Sequence, residues 1–79
     1  MGDCQSLFRG VFNYSRSPEI LYRHAYSSRQ AWFRMTFGLA EKHEVTPCCV
    51  RHRFPWIDGG KGNNYEIAIE MEVKEIDEN

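Results

Sequence analysis

The sequence predicts a small α+β domain in which one helix packs on one face of an antiparallel sheet of three to four strands. Two segments with period-two alternation, Leu7 to Tyr14 and Tyr65 to Ile76, indicate strands near the two ends of the chain. Between them, apolar residues spaced three and four apart indicate a helix over Ser28 to Glu44. The 79 residues form one domain, residues 1–79, and the predicted order is β-β-α-β-β.

The segment Glu19 to Tyr26 supports two interpretations. In one, Ser17 caps and Pro18 starts a long helix over residues 18–44, which gives the order β-α-β-β. In the other, the segment alternates as a second strand, and the helix starts at the capping-box sequence Ser27-Ser28-Arg29-Gln30. We favour the hairpin, because Tyr-rich segments prefer strands and its four-residue turn is a common length.

The chain between the helix and the last strand is predicted to contain a further strand. Thr46 and Pro47 indicate one short helical turn. The run from Val50 to Trp56 then alternates apolar and polar residues, which predicts a strand that ends near Pro55 or lies at an edge. Residues 58–64 contain three glycines and two asparagines and predict a flexible loop.

No motif in the chain supports catalysis or a cofactor, so we expect a non-enzymatic protein without cofactor or metal. Cys49-x-x-His52, with Cys48 beside it, supplies only part of the four-ligand set that zinc needs. The simpler interpretation is two partly buried thiols and a strand histidine. The glycine-rich run 59–62 lacks the GxxxxGK[ST] spacing of a phosphate-binding loop.

Composition indicates a cytoplasmic protein that does not enter a membrane. No stretch approaches the roughly 18 apolar residues of a spanning helix. The first residues lack the basic and apolar regions of a signal peptide. Three cysteines, two of them adjacent, form a poor disulfide framework and are expected to be reduced.

Charge is segregated along the chain although the net charge is only −1. Residues 1–61 carry nine Lys/Arg and five Asp/Glu, whereas residues 62–79 carry one Lys and six Asp/Glu. On the predicted sheet, Arg9, Arg51 and Arg53 would share one open face. Such a face could neutralise phosphates, so the alternative function is a small nucleic-acid-binding module.

The preferred function is binding of a protein partner. The main apolar stripe of the predicted helix, which would be buried on the sheet, contains Ala31, Trp32, Met35 and Leu39. Phe33 and Phe37 lie one helical turn apart and form a second apolar stripe with Ala40, on the far side of the helix. If exposed, this stripe would serve as a partner surface or a homodimer interface. Glu70 and Glu72 on the last strand would present carboxylates to a basic partner.

The run Ala25-Tyr26-Ser27-Ser28-Arg29-Gln30-Ala31-Trp32, followed by Leu39-Ala40-Glu41-Lys42-His43, resembles small proteins encoded by bacteriophages and other mobile elements. In those proteins a strand enters a capped helix with a Ser-x-x-Gln-Ala start. The resemblance covers residues 7–73. It implies a β-β-α-β-β fold and, by analogy with anti-CRISPR proteins, a non-catalytic inhibitor that occludes a host protein.

Overall fold

The computed structural model describes residues 5–14 and 17–72, with side chains up to Glu70. Strands β1 (Ser6–Phe12), β2 (Glu19–Ala25) and β3 (Tyr65–Glu72) form an antiparallel sheet in the order β2-β1-β3. Helices α1 (Ser28–His43) and α2 (Pro47–Arg53) connect β2 to β3. Because α1 packs on the sheet, the predicted α+β class is confirmed, with three strands and two helices among the described residues.

The hairpin interpretation is confirmed, and the long helix over residues 18–44 is wrong. β1 and β2 pair from Phe12 opposite Glu19 to Ser6 opposite Ala25. Alternate residues of β2 lie toward α1, and those between them, such as Tyr22, are exposed. The period-two pattern therefore outweighs the capping signal at residues 17–18.

Helix α1 begins at the predicted capping box. The backbone N–H of Gln30 donates to Ser27 Oγ at 3.1 Å, and Gln30 Oε1 accepts from the backbone N–H of Tyr26 at 2.8 Å. Two N–H groups near the start of the helix are thereby satisfied. The helix ends at Glu44, whose left-handed φ of 57° lets its N–H return to the carbonyls of Ala40 and Glu41.

The predicted strand over Val50 to Trp56 is wrong, because the first part of this segment is helix α2. Thr46 Oγ1 accepts from the Cys49 N–H at 3.3 Å and caps the helix. Val50 and Phe54 are both fully buried, and residues four apart share a face in a helix as well as in a strand. Only His52 distinguishes the two interpretations. A strand would place His52 on the same face as Val50 and Phe54, but His52 is exposed, as expected in a helix.

Strand β3 confirms the last predicted strand from Tyr65 onward, and residues 73–76 lie outside the described part of the chain. Phe8 pairs with Ile69 but Leu7 pairs with Met71, so a bulge interrupts the strict alternation that the sequence predicts. Period-two alternation from Tyr65 to Ile76 places Ile69 on the same face as the buried Ile67, but Ile69 is 57% exposed. The helices therefore cover only the first part of this strand.

The loop before β3 is tied to the strand it precedes. Gly60, which has a positive φ of 73°, accepts a hydrogen bond from the Ile67 N–H at 2.7 Å. Lys61 forms an isolated antiparallel bridge with Glu66. A left-handed backbone is cheap for glycine, so the glycines let this loop pair along the outer edge of β3.

The core is thin and rich in aromatic rings. The Phe12 ring packs edge-on against Phe54 with centroids 5.2 Å apart and stacks on Tyr65 at 5.4 Å. Trp32 Nε1 donates to the Phe54 carbonyl at 2.8 Å and joins the helices. The buried apolar residues are Phe8, Phe12, Ala25, Ala31, Trp32, Met35, Leu39, Ala40, Val50, Phe54, Tyr65 and Ile67.

The Tyr65 hydroxyl predicts a specific alkaline sensitivity. It donates to the Pro55 carbonyl and accepts from the Ile57 N–H, both at 3.0 Å. Burial raises the pKa of Tyr65 above its ordinary value of 10.0, and the hydrogen bond from Ile57 partly offsets this. The stability that Tyr65 confers is therefore fully present below about pH 10 and is lost as pH rises through the folded-state pKa.

Tyr65→Phe should lower the free energy of unfolding by about 1–3 kcal/mol near neutral pH, because it removes two part-buried hydrogen bonds. Urea unfolding of both proteins near neutral pH and above about pH 10 measures the difference, which should narrow at the higher pH. The other tyrosines are present in both proteins, so the effect of their ionisation cancels in the difference between the two free energies of unfolding. An unchanged difference at alkaline pH would contradict the burial of this hydroxyl.

Two glycines should respond differently to substitution by alanine. A Cβ at Gly10 would lie 2.3 Å from Met35 Sδ inside the core, so Gly10→Ala should destabilise by about 1–3 kcal/mol. A Cβ at Gly38 would meet Arg23 Nη2 at 2.5 Å, the end of a flexible side chain. Gly38→Ala also gains roughly 1 kcal/mol of helix propensity, so it should be close to neutral in thermal unfolding. Equal losses for both variants would contradict the described packing.

Candidate interaction surface

Helix α1 has a buried face and an exposed aromatic pair. Met35 and Leu39 are fully buried against the sheet, whereas Phe33 and Phe37 remain 44% and 47% exposed. The two exposed rings meet edge to face with centroids 5.0 Å apart. The predicted second stripe is thus exposed, except that Ala40 is buried.

Arg51 of helix α2 covers both rings. Its guanidinium carbon lies 4.2 Å from the Phe33 ring centroid and 4.8 Å from that of Phe37. Its Nε donates to Thr36 Oγ1 at 3.1 Å, and that hydroxyl donates to the Phe33 carbonyl at 2.6 Å. We call Phe33, Phe37 and Arg51 the aromatic–arginine cluster. Its side chains are fixed by stacking and by one hydrogen-bond chain.

The Arg51 guanidinium is only partly satisfied. Its Nη2 exposes less than 1 Å² and has no hydrogen-bond partner among the described residues. Its charge also has no carboxylate within ion-pair distance in that part of the chain. Because an unpaired buried donor costs about 1–3 kcal/mol, the cluster is not optimised for stability alone.

A groove of about 500 Å³ opens beside the aromatic–arginine cluster at the start of α1. Both charged residues in its lining are arginines, and no acidic residue lines it. Apolar rings form part of its wall, so it offers positive charge next to an apolar surface. The lining residues are Ser27, Arg29, Gln30, Trp32, Phe33 and Arg51.

The arginines predicted to share a sheet face lie on different elements. Arg9 is on β1 and pairs with Glu70 of β3 at 3.5 Å on the face opposite α1. Arg51 and Arg53 are on α2. Arg53 stacks on the Tyr14 ring at 4.6 Å and donates to the Tyr14 carbonyl. The prediction that these arginines share one face of the sheet is therefore wrong, because it required the segment after Pro47 to be a strand.

The predicted acidic and aromatic binding residues are also separated. Glu70 is exposed on the open sheet face, on the other side of the sheet from Phe33 and Phe37. Glu72 lies in β3, but its side chain is outside the described part. One flat interface cannot contain both Glu70 and the phenylalanine pair.

The predicted partly buried thiols are wrong, because Cys48 and Cys49 are both free and exposed on α2. Within residues 5–14 and 17–72, no three His, Cys, Asp or Glu side chains are placed to hold a metal ion. No helix in the described chain is both long and apolar enough to cross a bilayer.

A second polar cluster fastens the hairpin to the end of α1. Glu19 Oε2 lies 2.6 Å from His43 Nε2, and the His43 ring stacks on Tyr14 at 3.8 Å. Lys42 Nζ is 3.2 Å from Glu19 Oε1, within ion-pair range but without hydrogen-bond geometry. These contacts join β2 to the last turn of α1. Among the described residues, no hydroxyl or thiol hydrogen-bonds to the Glu19–His43 pair, so we interpret the pair only as a structural contact.

Most of the groove was missed from the sequence. Ser27 and Gln30 were recognised only as caps, and Trp32 only as core. The cap at Thr46, with Pro47 after it, was the signal that could have placed Arg51 on a helix. Arg29 carried no sequence signal beyond its charge.

No family model matches this chain, and no curated protein or solved structure matches it significantly. A function must therefore follow from the surface chemistry of the domain itself.

Substitution of Arg51 should separate stability from surface chemistry. Arg51→Met loses the stacked guanidinium but also removes an unpaired donor, and because these effects oppose each other the free energy of unfolding should change by less than about 1 kcal/mol. Trp32→Phe instead leaves the buried Phe54 carbonyl without its donor and should cost about 2–3 kcal/mol. Chemical denaturation measures both. A loss above about 2 kcal/mol in Arg51→Met would make Arg51 a structural clamp.

Proposed function

We propose that this domain is a non-enzymatic protein-binding module that docks a partner on its helical side, through Phe33 and Phe37. The observation that carries the proposal is that these two large rings are exposed side by side and bordered by Arg51. Aromatic residues and Arg dominate the binding energy of protein interfaces. A paired exposed aromatic surface is the kind of feature that marks such an interface.

The aromatic–arginine cluster is suited to binding because it is ordered before a partner arrives. The edge-to-face contact orients both rings, and the Thr36 hydroxyl holds Arg51 over them. Ordering a long side chain on association costs about 0.5–1.5 kcal/mol, and this surface has already met that cost on folding. The shape and the charge of the aromatic–arginine cluster are therefore fixed before a partner binds.

Occlusion of a host protein is the biological role we propose for this module. The resemblance of the β2–α1 entry to small phage and mobile-element proteins supports a non-catalytic inhibitor, of the anti-CRISPR kind in mode of action. Two exposed free thiols suit a reducing compartment, so we place the protein in the cytoplasm. A binding role needs no cofactor.

Nucleic acid is the less favoured partner. The sheet face that would have stacked bases carries Glu66 and Glu70, and its arginine is paired with Glu70. Carboxylates on the platform repel phosphates. The protein-binding proposal therefore rests on the helical side alone.

Photocrosslinking can locate the partner surface. A benzophenone amino acid at position 37 should crosslink a partner in lysate of the native host, and the same group at position 22 should not. Phe37 and Tyr22 are matched, with exposures of 47% and 46% on opposite sides of the domain. Phe33→Ser and Phe37→Ser should each weaken capture at least about tenfold, a change of about 1.4 kcal/mol.

Tyr22→Ser and charge reversal of Glu70 serve as controls for these variants. Both alter the open sheet face and should leave capture unchanged, while circular dichroism verifies that every variant is folded. Loss of capture with Tyr22→Ser or Glu70→Lys, and retention with the phenylalanine variants, would place the interface on the sheet and contradict the proposal.

A further inference from the structure

We propose that the groove beside the aromatic–arginine cluster binds an acidic segment of the protein partner, with carboxylates on Arg29 and Arg51 and an apolar side chain on Phe33. This inference rests on the proposed function and specifies the chemistry of the partner. It assigns a ligand class to a groove whose lining contains two cations, aromatic rings and no acid.

The arginines of the described chain divide into two groups. Four of the six are engaged with a carboxylate or a backbone carbonyl: Arg9 with Glu70, Arg23 with Tyr22, Arg34 with His24 and Arg53 with Tyr14. The other two are Arg29 and Arg51, and both line the groove. Among the described residues, neither has a carboxylate within ion-pair distance. The two arginines in this part of the chain that bind neither a carboxylate nor a backbone carbonyl are therefore gathered at one place.

Arg51 is preorganised to receive a carboxylate. Its Nε is bound to Thr36, and its plane is held against two rings, so one edge of the guanidinium is already committed. Because Nε is bound and Nη2 is buried, Nη1 is the nitrogen left to donate to a carboxylate, and the stacked guanidinium plane fixes its direction. A carboxylate in the groove would supply the acidic partner that the fold itself does not provide.

Arg29 stands where a negative charge would be favourable. It is exposed in the first turn of α1, and that turn contains no acidic residue. The start of a helix favours anions over cations by roughly 0.3–1 kcal/mol per charge. A carboxylate beside Arg29 would be stabilised by both the guanidinium and the helix.

A protein segment suits this groove better than a nucleic acid. The groove offers two cations, whereas nucleic-acid binding commonly draws on many phosphate contacts along an extended strand. The chain as a whole carries a net charge of −1 and does not attract a long polyanion. The Phe33 and Phe37 rings add an apolar surface for a side chain next to the carboxylates.

Fluorescence anisotropy with short labelled peptides tests the inference. A peptide that mixes Glu with Leu should bind the full chain, and its matched Gln–Leu peptide should bind at least about tenfold more weakly. Arg29→Gln and Arg51→Gln should each weaken the Glu–Leu peptide about tenfold. Arg9→Gln removes the same charge from the sheet face and should have no effect. Arg51→Lys should recover only part of the affinity, since it restores the charge without the planar group that stacks on the two rings.

Several outcomes would overturn the inference. These are no binding of the Glu–Leu peptide, equal binding of the Gln–Leu peptide, an equal loss with Arg9→Gln, or preferential, salt-sensitive binding of oligothymidine. The proposed function is judged separately by the phenylalanine variants. If Phe33→Ser abolishes capture of the host partner while Arg29→Gln and Arg51→Gln retain it, the binding module stands and its acidic ligand does not.

Discussion

Phe54 holds the second helix against the rest of the domain through its side chain and its backbone together. Its ring meets Phe12 and Tyr65 of the sheet edge-on, and its carbonyl accepts the indole N–H of Trp32. A domain of this size has room for few large buried side chains, so each one carries much of the burial. Because Phe54 contacts both the sheet and α1, it fixes the position of α2 relative to both. Arg51, one turn earlier, is consequently held over the rings of α1.

Local signals predicted the hairpin, the N-terminal cap of α1 and the last strand, since alternation and capping act within a few residues. They predicted the start of α2 at Thr46 and Pro47 but not its extent, because burial of Val50 and Phe54 fits a period of two and a helical spacing of four equally. Neither the bulge opposite Leu7 nor the exposure of Ile69 has a local signal, because both depend on how far the helices cover the sheet. The same limit applies to the candidate surface. The phenylalanine pair could be predicted, but Arg51 joins it only through the tertiary position of α2.

The aromatic–arginine cluster combines order with incomplete satisfaction. Stacking and the Thr36 hydroxyl restrain Arg51, yet its Nη2 is buried without a partner in the described structure. An apolar side chain would remove the unpaired donor, although it would also lose the stacked guanidinium. The proposed carboxylate ligand would account for an arginine at this position. Such compromises between stability and function are common at binding sites.

The edges of the sheet help to direct a partner to the helical side. Exposed strand edges invite an added strand, and proteins that avoid this cover or charge them. On β2, the outward carbonyls of Tyr22 and His24 are occupied by Arg23 and Arg34. On the first part of β3, the loop pairs through Gly60. With these edge groups occupied and the open sheet face carrying paired opposite charges, the groove and the aromatic–arginine cluster combine apolar area with unneutralised charge. A partner that matches both would bind there in preference to the sheet.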